Sequence, residues 1–232
     1  MNILSIDTAT EACSVALLHS GHLFERHELA PRRHAQLALP FVDAVLAEAG
    51  IGKRQLDAIA VGRGPGGFTG VRLAISLAQG MALGLDIPVL PVSSLAALAL
   101  DIADEAPGAT LLACIDARMG EVYAGVYRCG VGGLVQLQGD ECVGPAARVL
   151  LPQAAKWAVT GSGWASYTEV LQQRIGVPVF ADGARYPRAA MIARLALPRL
   201  ARGEGVAPEH ALPVYLRDKV ALTTAERSAG AA

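Results

Sequence analysis

Both halves of the chain show the same order of predicted elements, and this repetition limits the choice of fold more than any other feature. Each half opens with three short apolar strands joined by turns, and the first strand of each ends at an aspartate, Asp7 or Asp116. Helices and strands then alternate, which gives the order βββαβαβα twice and includes a short helix predicted over Ala146–Leu151. The order repeats without a repeat of the sequence, and it predicts two α/β units that face each other across a cleft.

A segment that contains proline and glycine, Asp104–Gly108, separates the two halves. We therefore predict one unit over residues 1–105, a second unit over 109–204, and a C-terminal segment over 205–232 whose end, after Ala221, is disordered. A chain of 232 residues is long enough for two such units.

The composition excludes several classes of protein. Hydrophobic residues make up 53% of the chain, which is too many for a disordered protein. The 20 Lys and Arg are balanced by 21 Asp and Glu, so the chain lacks the surplus of cations that a protein needs to hold nucleic acid by itself. No basic segment precedes the first strand, and the apolar run Val71–Leu85 is short and interrupted by Arg72 and two glycines. We therefore expect a cytoplasmic protein that does not enter the membrane.

A loop with five glycines, Gly62–Gly70, joins a buried strand to a long helix. Glycines allow the backbone to approach a ligand closely, and the free N–H groups at the start of a helix attract anions, so this loop is a candidate phosphate site. The two strand-end aspartates belong to the same candidate site, because open α/β sheets bind ligands at the carboxyl ends of their strands. The candidate contacts are Asp7, Thr8, Gly64, Gly66, Gly67 and Asp116. Two structural alternatives stay open: glycines needed only for packing, and aspartates that cap turn amides.

Two helices of the first half carry more apolar surface than one packing face requires. The helix after the glycine loop is apolar nearly all round, and the helix over His34–Ala49 has a second apolar face. We predict that this surplus contacts a partner, although the two helices could also simply cover each other. The predicted contact residues are Leu37, Phe41, Val45, Val71, Ala74, Leu77, Ala78 and Met81.

The sequence lacks several motifs that are typical of enzymes. No lysine follows the glycine loop, so it is not a Walker loop, and no nucleophile stands in a G-x-S-x-G elbow. The four cysteines form no C-x-x-C pair, and no H-E-x-x-H motif occurs. His34 stands at a helix start, where a histidine usually caps the helix or lies on the surface. We predict no catalytic residue, no metal site and no required cofactor.

Several of these segments together resemble the TsaB (YeaZ) family, whose members have the actin-like ATPase fold. They are the first strand with its loop, Ile3–Thr10, the stretch Gly62–Arg72, and the segments Asp116–Tyr123 and Pro213–Arg217. The resemblance covers nearly the whole chain, and the long glycine loop is its most specific part. It implies two tandem RNase H-like units and a role in making threonylcarbamoyladenosine on tRNA.

The resemblance further implies a non-catalytic subunit. Such a chain pairs with the transferase TsaD through helices of the first half and activates it. TsaD modifies the adenosine next to the anticodon in tRNAs that read codons starting with A. The ATPase TsaE joins the complex, tRNA is contacted mainly through the complex, and a homodimer is expected when TsaD is absent.

The same resemblance also indicates whether this chain binds a metal ion or a nucleotide. TsaD binds a metal through an H-x-x-x-H pair, and the matching positions here are Ser94 and Leu98, which cannot hold a divalent ion. The chain is expected to require no cofactor of its own, with ATP or ADP a candidate ligand at the boundary between subunits.

Two other functions stay open. A small phosphotransferase of the same fold would use Asp7 and Asp116 around magnesium-ATP and would act without a partner. A plain homodimeric binding module would have no TsaD-like partner.

Overall fold

The first half of the chain forms a five-stranded mixed sheet. The structure is a computed structural model that describes residues 1–217, so the tail predicted after Ala221 lies outside the described residues. The elements are β1 (Ile3–Asp7), β2 (Ala12–His19), β3 (His22–Leu29), α1 (His34–Ala49), β4 (Ala58–Gly62), α2 (Phe68–Leu85), β5 (Val89–Val92) and α3 (Ser94–Asp101). The strand order is β3-β2-β1-β4-β5, in which β1, β2 and β3 are antiparallel and β1, β4 and β5 are parallel.

The second half repeats this arrangement. Its elements are β6 (Thr110–Arg118), β7 (Glu121–Cys129), β8 (Val135–Leu137), β9 (Cys142–Pro145), β10 (Trp157–Thr160), α4 (Ser162–Ile175), β11 (Phe180–Asp182) and α5 (Ala189–Ala201). The sheet order β11-β10-β6-β7-β8 matches that of the first half, again with the first strand in the centre, antiparallel on one side and parallel on the other. The predicted fold, two tandem RNase H-like units in the actin-like arrangement, is confirmed.

One predicted element, the short helix over Ala146–Leu151, is wrong. These residues form turns, and the strand β9 before them pairs with β7. Six residues between two prolines are too few to repay the cost of starting a helix. The Arg174 guanidinium of α4 instead donates to the carbonyl oxygens of Ala146 and Val149, the first of these bonds at 2.9 Å. The second unit therefore has a strand and turns where the first unit has α1.

The last helix of each unit packs against the sheet of the other unit. Helix α5 buries Ile192 and Ala196 in one cluster with Ile3, Ala58 and Leu90 of the first sheet. The cluster around α3 joins it to the second sheet and contains Leu95, Leu98, Ile102, Leu111 and Ala113. The two units therefore share their cores, and the boundary placed at residues 105–109 stays a prediction.

Helix α2 begins at Phe68, three residues before the apolar run considered in the sequence. At 18 residues and a mean hydropathy of 1.3 it has the length and composition of a membrane span. Its inner face, which includes Val71, Ala74, Ile75 and Ala78, is buried in the core of the first unit. The apolar content of this helix is thus partly accounted for by packing on β4, and the rest lies on its outer side.

Candidate functional site

The two units enclose a cleft of about 1030 Å³ at the carboxyl ends of β1 and β6, which we call the interlobe cleft. Its walls are the β1–β2 loop, the starts of α1 and α2, the β6–β7 hairpin and residues 214–217. Four predicted contacts, Thr8, Gly66, Gly67 and Asp116, line this cleft, whereas Asp7 and Gly64 do not. The predicted site is therefore brought together only in part.

Asp7 is sealed behind the cleft wall. Asp7 is 1% exposed. Its Oδ2 atom lies so close to Gly62 that a Cβ on that glycine would be only 1.9 Å away. Oδ1 accepts a hydrogen bond from the Ala9 amide at 2.8 Å, and Oδ2 accepts one from the Ser94 hydroxyl at 2.7 Å. Burial raises the pKa of this carboxyl to about 6, against the smaller opposing effects of these two hydrogen bonds. Asp7 therefore caps a turn and joins β1 to the start of α3, as in the structural alternative, and it does not line the cleft.

The glycine loop packs closely against Thr8 and Ala9 of the β1–β2 loop. A Cβ on Gly66 would lie 2.2 Å from the Ala9 carbonyl oxygen, and one on Gly70 would lie 1.9 Å from the Thr8 carbonyl oxygen. The Gly67 amide donates to Ala9 at 2.7 Å, and the Thr8 hydroxyl donates to the Gly70 carbonyl at 2.6 Å. Side chains larger than glycine would therefore clash with the Thr8 and Ala9 main chain, so close packing is a sufficient reason for Gly66 and Gly70. Gly66, Gly67 and Thr8 also line the interlobe cleft, and their contact with a phosphate stays a prediction.

Gly64 has a different reason to be glycine. Its φ of +87° is in the left-handed region, which disfavours other residues. A Cβ there would lie 3.2 Å from Val71 and 3.5 Å from the Val214 carbonyl oxygen, on the inner side of the loop. The turn conformation is therefore a sufficient reason for glycine at this position.

The Asp116 carboxylate forms an ion pair with a neighbouring arginine, Arg118. Its Oδ2 atom lies 3.1 Å from the Arg118 guanidinium, and its Oδ1 atom accepts hydrogen bonds from the Arg118 amide at 2.8 Å and the Tyr167 hydroxyl at 3.2 Å. Arg118 also pairs with Glu11 of the first unit at 2.9 Å, so this arginine bridges the interlobe cleft. Asp7 and Asp116 thus have different surroundings and do not form a carboxylate pair around a metal.

The positions that would correspond to metal-binding histidines are used for packing. Ser94 is fully buried on Asp7, and Leu98 is fully buried in the cluster around α3. Within residues 1–217 no group of three His, Cys, Asp or Glu side chains could hold a metal ion.

The predicted partner surface needs a correction. Val45, Val71, Ala74 and Ala78 are buried in the core of the first unit and offer no side-chain surface to a partner. The other four predicted residues, Leu37, Phe41, Leu77 and Met81, are half-buried and remain available in part. Ala74 and Ala78 are small and four residues apart because the inner face of α2 packs closely on its own sheet.

The outer side of α2 was predicted from the sequence only in part, through Leu77. It carries a stripe without charge, which we call the α2 stripe, formed by Leu73, Ser76, Leu77, Gly80, Leu83 and Gly84. Leu83 is 73% exposed. A Cβ on Gly80 or Gly84 would meet no atom within 4 Å, so the fold of this chain does not require glycine there. Each glycine inside a helix costs about 1 kcal/mol relative to alanine, which calls for a reason outside the chain.

The C-terminal segment 205–217 runs along α2 and crosses to the second unit. The Gln79 side chain donates to the Ala211 carbonyl at 3.1 Å, and the Val214 amide donates to the Arg63 carbonyl at 3.0 Å. Arg217 then pairs with Glu121 of β7. We call residues 211–217 the strap, since it ties the first unit to the β6–β7 hairpin.

This geometry defines a class of protein: an actin-like pair of RNase H-like units whose glycine loop packs on the β1–β2 loop and whose helix α2 carries an uncharged outer stripe. A family model described as "TsaD: tRNA N6-adenosine threonylcarbamoyltransferase" matches residues 27–225. The chain is 41% identical to the tRNA threonylcarbamoyladenosine biosynthesis protein TsaB of Escherichia coli K12, over 95% of this chain and 96% of that protein. It is 36% identical to TsaB of Haemophilus influenzae, over 95% of each chain.

A solved structure gives the same result. YeaZ from Pseudomonas aeruginosa superposes with a TM-score of 0.86 at 48% identity, covering 93% of this chain and 99% of that one. The chain belongs to the TsaB (YeaZ) family, and the resemblance predicted from its motifs is confirmed.

Proposed function

We propose that this chain is a non-catalytic subunit in the synthesis of threonylcarbamoyladenosine on tRNA, and that it binds and activates a TsaD-type transferase. The family supports the pathway, since the relatives are named as biosynthesis proteins of this modification. The observation that carries the subunit role is the α2 stripe with its two unsupported glycines, Gly80 and Gly84.

The α2 stripe has the properties of a surface that is covered in the working assembly. Exposed apolar residues next to one another mark interaction sites, and Leu39 of α1 is a further exposed apolar residue on the neighbouring helix. Because glycine has no side chain, Gly80 and Gly84 let the backbone of another helix come close. A TsaD-type subunit, which shares the family model that this chain matches, is the occupant that we propose.

The interlobe cleft supports the absence of chemistry in this chain. Asp7 is buried, Asp116 is paired with Arg118, and the glycine loop packs on the Thr8 and Ala9 carbonyls. The transfer to the adenosine then falls to the TsaD-type subunit. A phosphotransferase with a metal between Asp7 and Asp116 receives no support from this arrangement.

The remaining partners follow from the same proposal. With a net charge of −1, the chain would leave most contact with tRNA to the complex, which would include the ATPase TsaE and act in the cytoplasm. ATP or ADP at the boundary between subunits stays a prediction, because such a site would need the surface of the partner in addition to this one.

The test is calorimetric titration of the TsaD-type subunit of the same organism into variants of this chain. Leu83→Arg places a charge on the α2 stripe at a side chain that is 73% exposed, so the fold should be unaffected while affinity falls by at least about tenfold. Leu150→Arg is the matched control, because Leu150 is also exposed but lies in the second unit. Unchanged partner affinity for Leu83→Arg would remove the proposal. If that variant lost only self-association, the α2 stripe would be a homodimer surface instead.

A further inference from the structure

We infer that Arg72 is the electrostatic anchor of the proposed partner contact and that its guanidinium receives a carboxylate of the partner subunit. This inference rests on the proposed function, because it names the polar contact that would accompany the α2 stripe. It assigns to Arg72, and to Phe68 and Tyr215 that hold it, a role in choosing the partner.

The Arg72 guanidinium is held in place by contacts with Phe68 and Tyr215. Its central carbon lies 3.7 Å from the centroid of the Phe68 ring and 5.6 Å from that of the Tyr215 ring. Its Nε atom donates a hydrogen bond to the Tyr215 hydroxyl at 2.7 Å. The two rings lie 5.8 Å apart and are tilted by 30°. Cation–π contact and this hydrogen bond fix the plane of the guanidinium before any partner arrives.

Arg72 has no carboxylate partner among residues 1–217. Arg118, Arg185, Arg188 and Arg217 each pair with a carboxylate, whereas no carboxylate of residues 1–217 lies within ion-pair distance of Arg72. Its two terminal nitrogens also have no hydrogen-bond acceptor among these residues. Arg72 thus presents an ordered fork of donors, which matches the two oxygens of a carboxylate.

The aromatic residues beside Arg72 are exposed rather than used for the core. Phe68 is 56% exposed and Tyr215 is 47% exposed. Arginine with tyrosine or another aromatic residue is the composition of the residues that contribute most to protein interfaces. The strap fixes Tyr215, because the Val214 amide is bonded to Arg63 and Arg217 is paired with Glu121. The cluster is therefore rigid, and little side-chain entropy would be lost on binding.

The location of the cluster selects a protein partner over RNA. Arg72 and Ser76 are four residues apart on α2, so the guanidinium lies at the edge of the uncharged α2 stripe. An RNA backbone would require a row of unpaired cations, but Arg217 of the strap is already paired with Glu121. An apolar stripe with one ordered cation at its rim fits an apolar protein surface that carries one acidic side chain.

The experiment measures affinity for the TsaD-type subunit at two salt concentrations, about 50 mM and about 500 mM, between which screening of exposed charges changes strongly. Arg72→Gln should weaken binding by about tenfold at low salt and should reduce the salt dependence. Arg72→Lys should fall between wild type and Arg72→Gln, because it keeps the charge but loses the planar fork. Tyr215→Phe should lower affinity while the salt dependence remains, since the charge stays but loses its support.

Arg54→Gln is the matched control. Arg54 is an exposed arginine in the short turn before β4, at the opposite end of that strand from α2, and its loss changes the net charge by the same amount. If Arg72→Gln behaves like Arg54→Gln while Leu83→Arg loses the partner, the inference fails and the proposed function stands. If Leu83→Arg also keeps the partner, the proposed function fails. If Arg72→Gln weakens only the binding of tRNA to the assembled complex, the guanidinium serves a phosphate and the inference is overturned.

Discussion

At the scale of single residues, Asp7 shows how a strand-end carboxylate can be structural. An aspartate at the end of the first strand of an α/β unit suggests a ligand contact, and the sequence contains nothing against that reading. The outcome depends on whether the side chain points into the cleft or into the wall, and here the contacts with Ala9 and Ser94 hold it in the wall. A buried carboxylate of this kind has a consequence for stability that can be measured.

The free energy of unfolding should fall as pH rises through the range in which Asp7 titrates. The pKa of this carboxyl is about 6 in the folded chain against 3.8 for an ordinary aspartate. Its contribution is fully present below pH 3.8 and is lost as pH rises to about 6, because the unfolded chain releases the proton first. The difference corresponds to about 3 kcal/mol. Asp7→Asn should remove this dependence and should be no less stable than wild type at pH 7.

Urea unfolding of both proteins between about pH 4 and pH 7 tests this expectation. Asp43→Asn is a suitable control, since the Asp43 side chain is 65% exposed and its loss should leave the slope in place. The account would be wrong if Asp7→Asn kept the wild-type pH dependence. We also expect Asp7→Asn to leave the modification of tRNA by the complex largely intact.

At the scale of elements, α2 has an apolar inner face and an uncharged outer stripe, and only the inner face is explained by packing within the chain. Gly84→Ala should raise the free energy of unfolding of the isolated chain by about 0.5–1 kcal/mol, because alanine favours the helix and its Cβ meets nothing. The same change should weaken binding of the TsaD-type subunit, because the added methyl group occupies the gap that a close partner would use.

Thermal unfolding of the isolated chain and calorimetric titration of the partner measure the two effects separately. Gly70→Ala is the contrasting variant, since its Cβ would lie 1.9 Å from the Thr8 carbonyl oxygen and should destabilise the fold itself. A gain in stability for Gly84→Ala without any loss of partner affinity would mean that the α2 stripe lies outside the contact.

Much of the element pattern could be predicted from the sequence, and what failed has a physical reason. The bounds of α1, the three strands before it and the repeat of this order follow from hydrophobic periodicity and turn residues. The direction in which α2 presents its surplus could not be predicted, because a helix that is apolar on both sides has no periodic signal to distinguish them. The glycine loop was ambiguous for a similar reason. Glycine permits close approach, but the sequence does not say whether a phosphate or the Thr8–Ala9 backbone approaches.

At the scale of the whole molecule, the exchange of α3 and α5 between the sheets should make the two units depend on each other. Residues 1–105 expressed alone would expose the sheet surface on which Ile192 and Ala196 of α5 pack. The link is also polar, since the Ala189 amide at the start of α5 donates to the Ser14 hydroxyl at 2.8 Å and Arg188 pairs with Glu25. We expect the isolated first half to be unfolded or aggregated.

Circular dichroism and sedimentation of residues 1–105, with and without co-expressed residues 106–232, measure this dependence. Co-expression should restore a folded, soluble pair. A first half that unfolds cooperatively by itself would contradict the shared core and would support residues 1–105 as an autonomous domain.

The close packing of the glycine loop also limits how this scaffold can be redesigned. Any side chain placed at Gly66 or Gly70 would meet the main chain at Ala9 or Thr8, so a library that varies this loop must keep both glycines or rebuild the β1–β2 turn. Rebuilding that turn would disturb Asp7, whose hydrogen bond with Ser94 ties β1 to the start of α3.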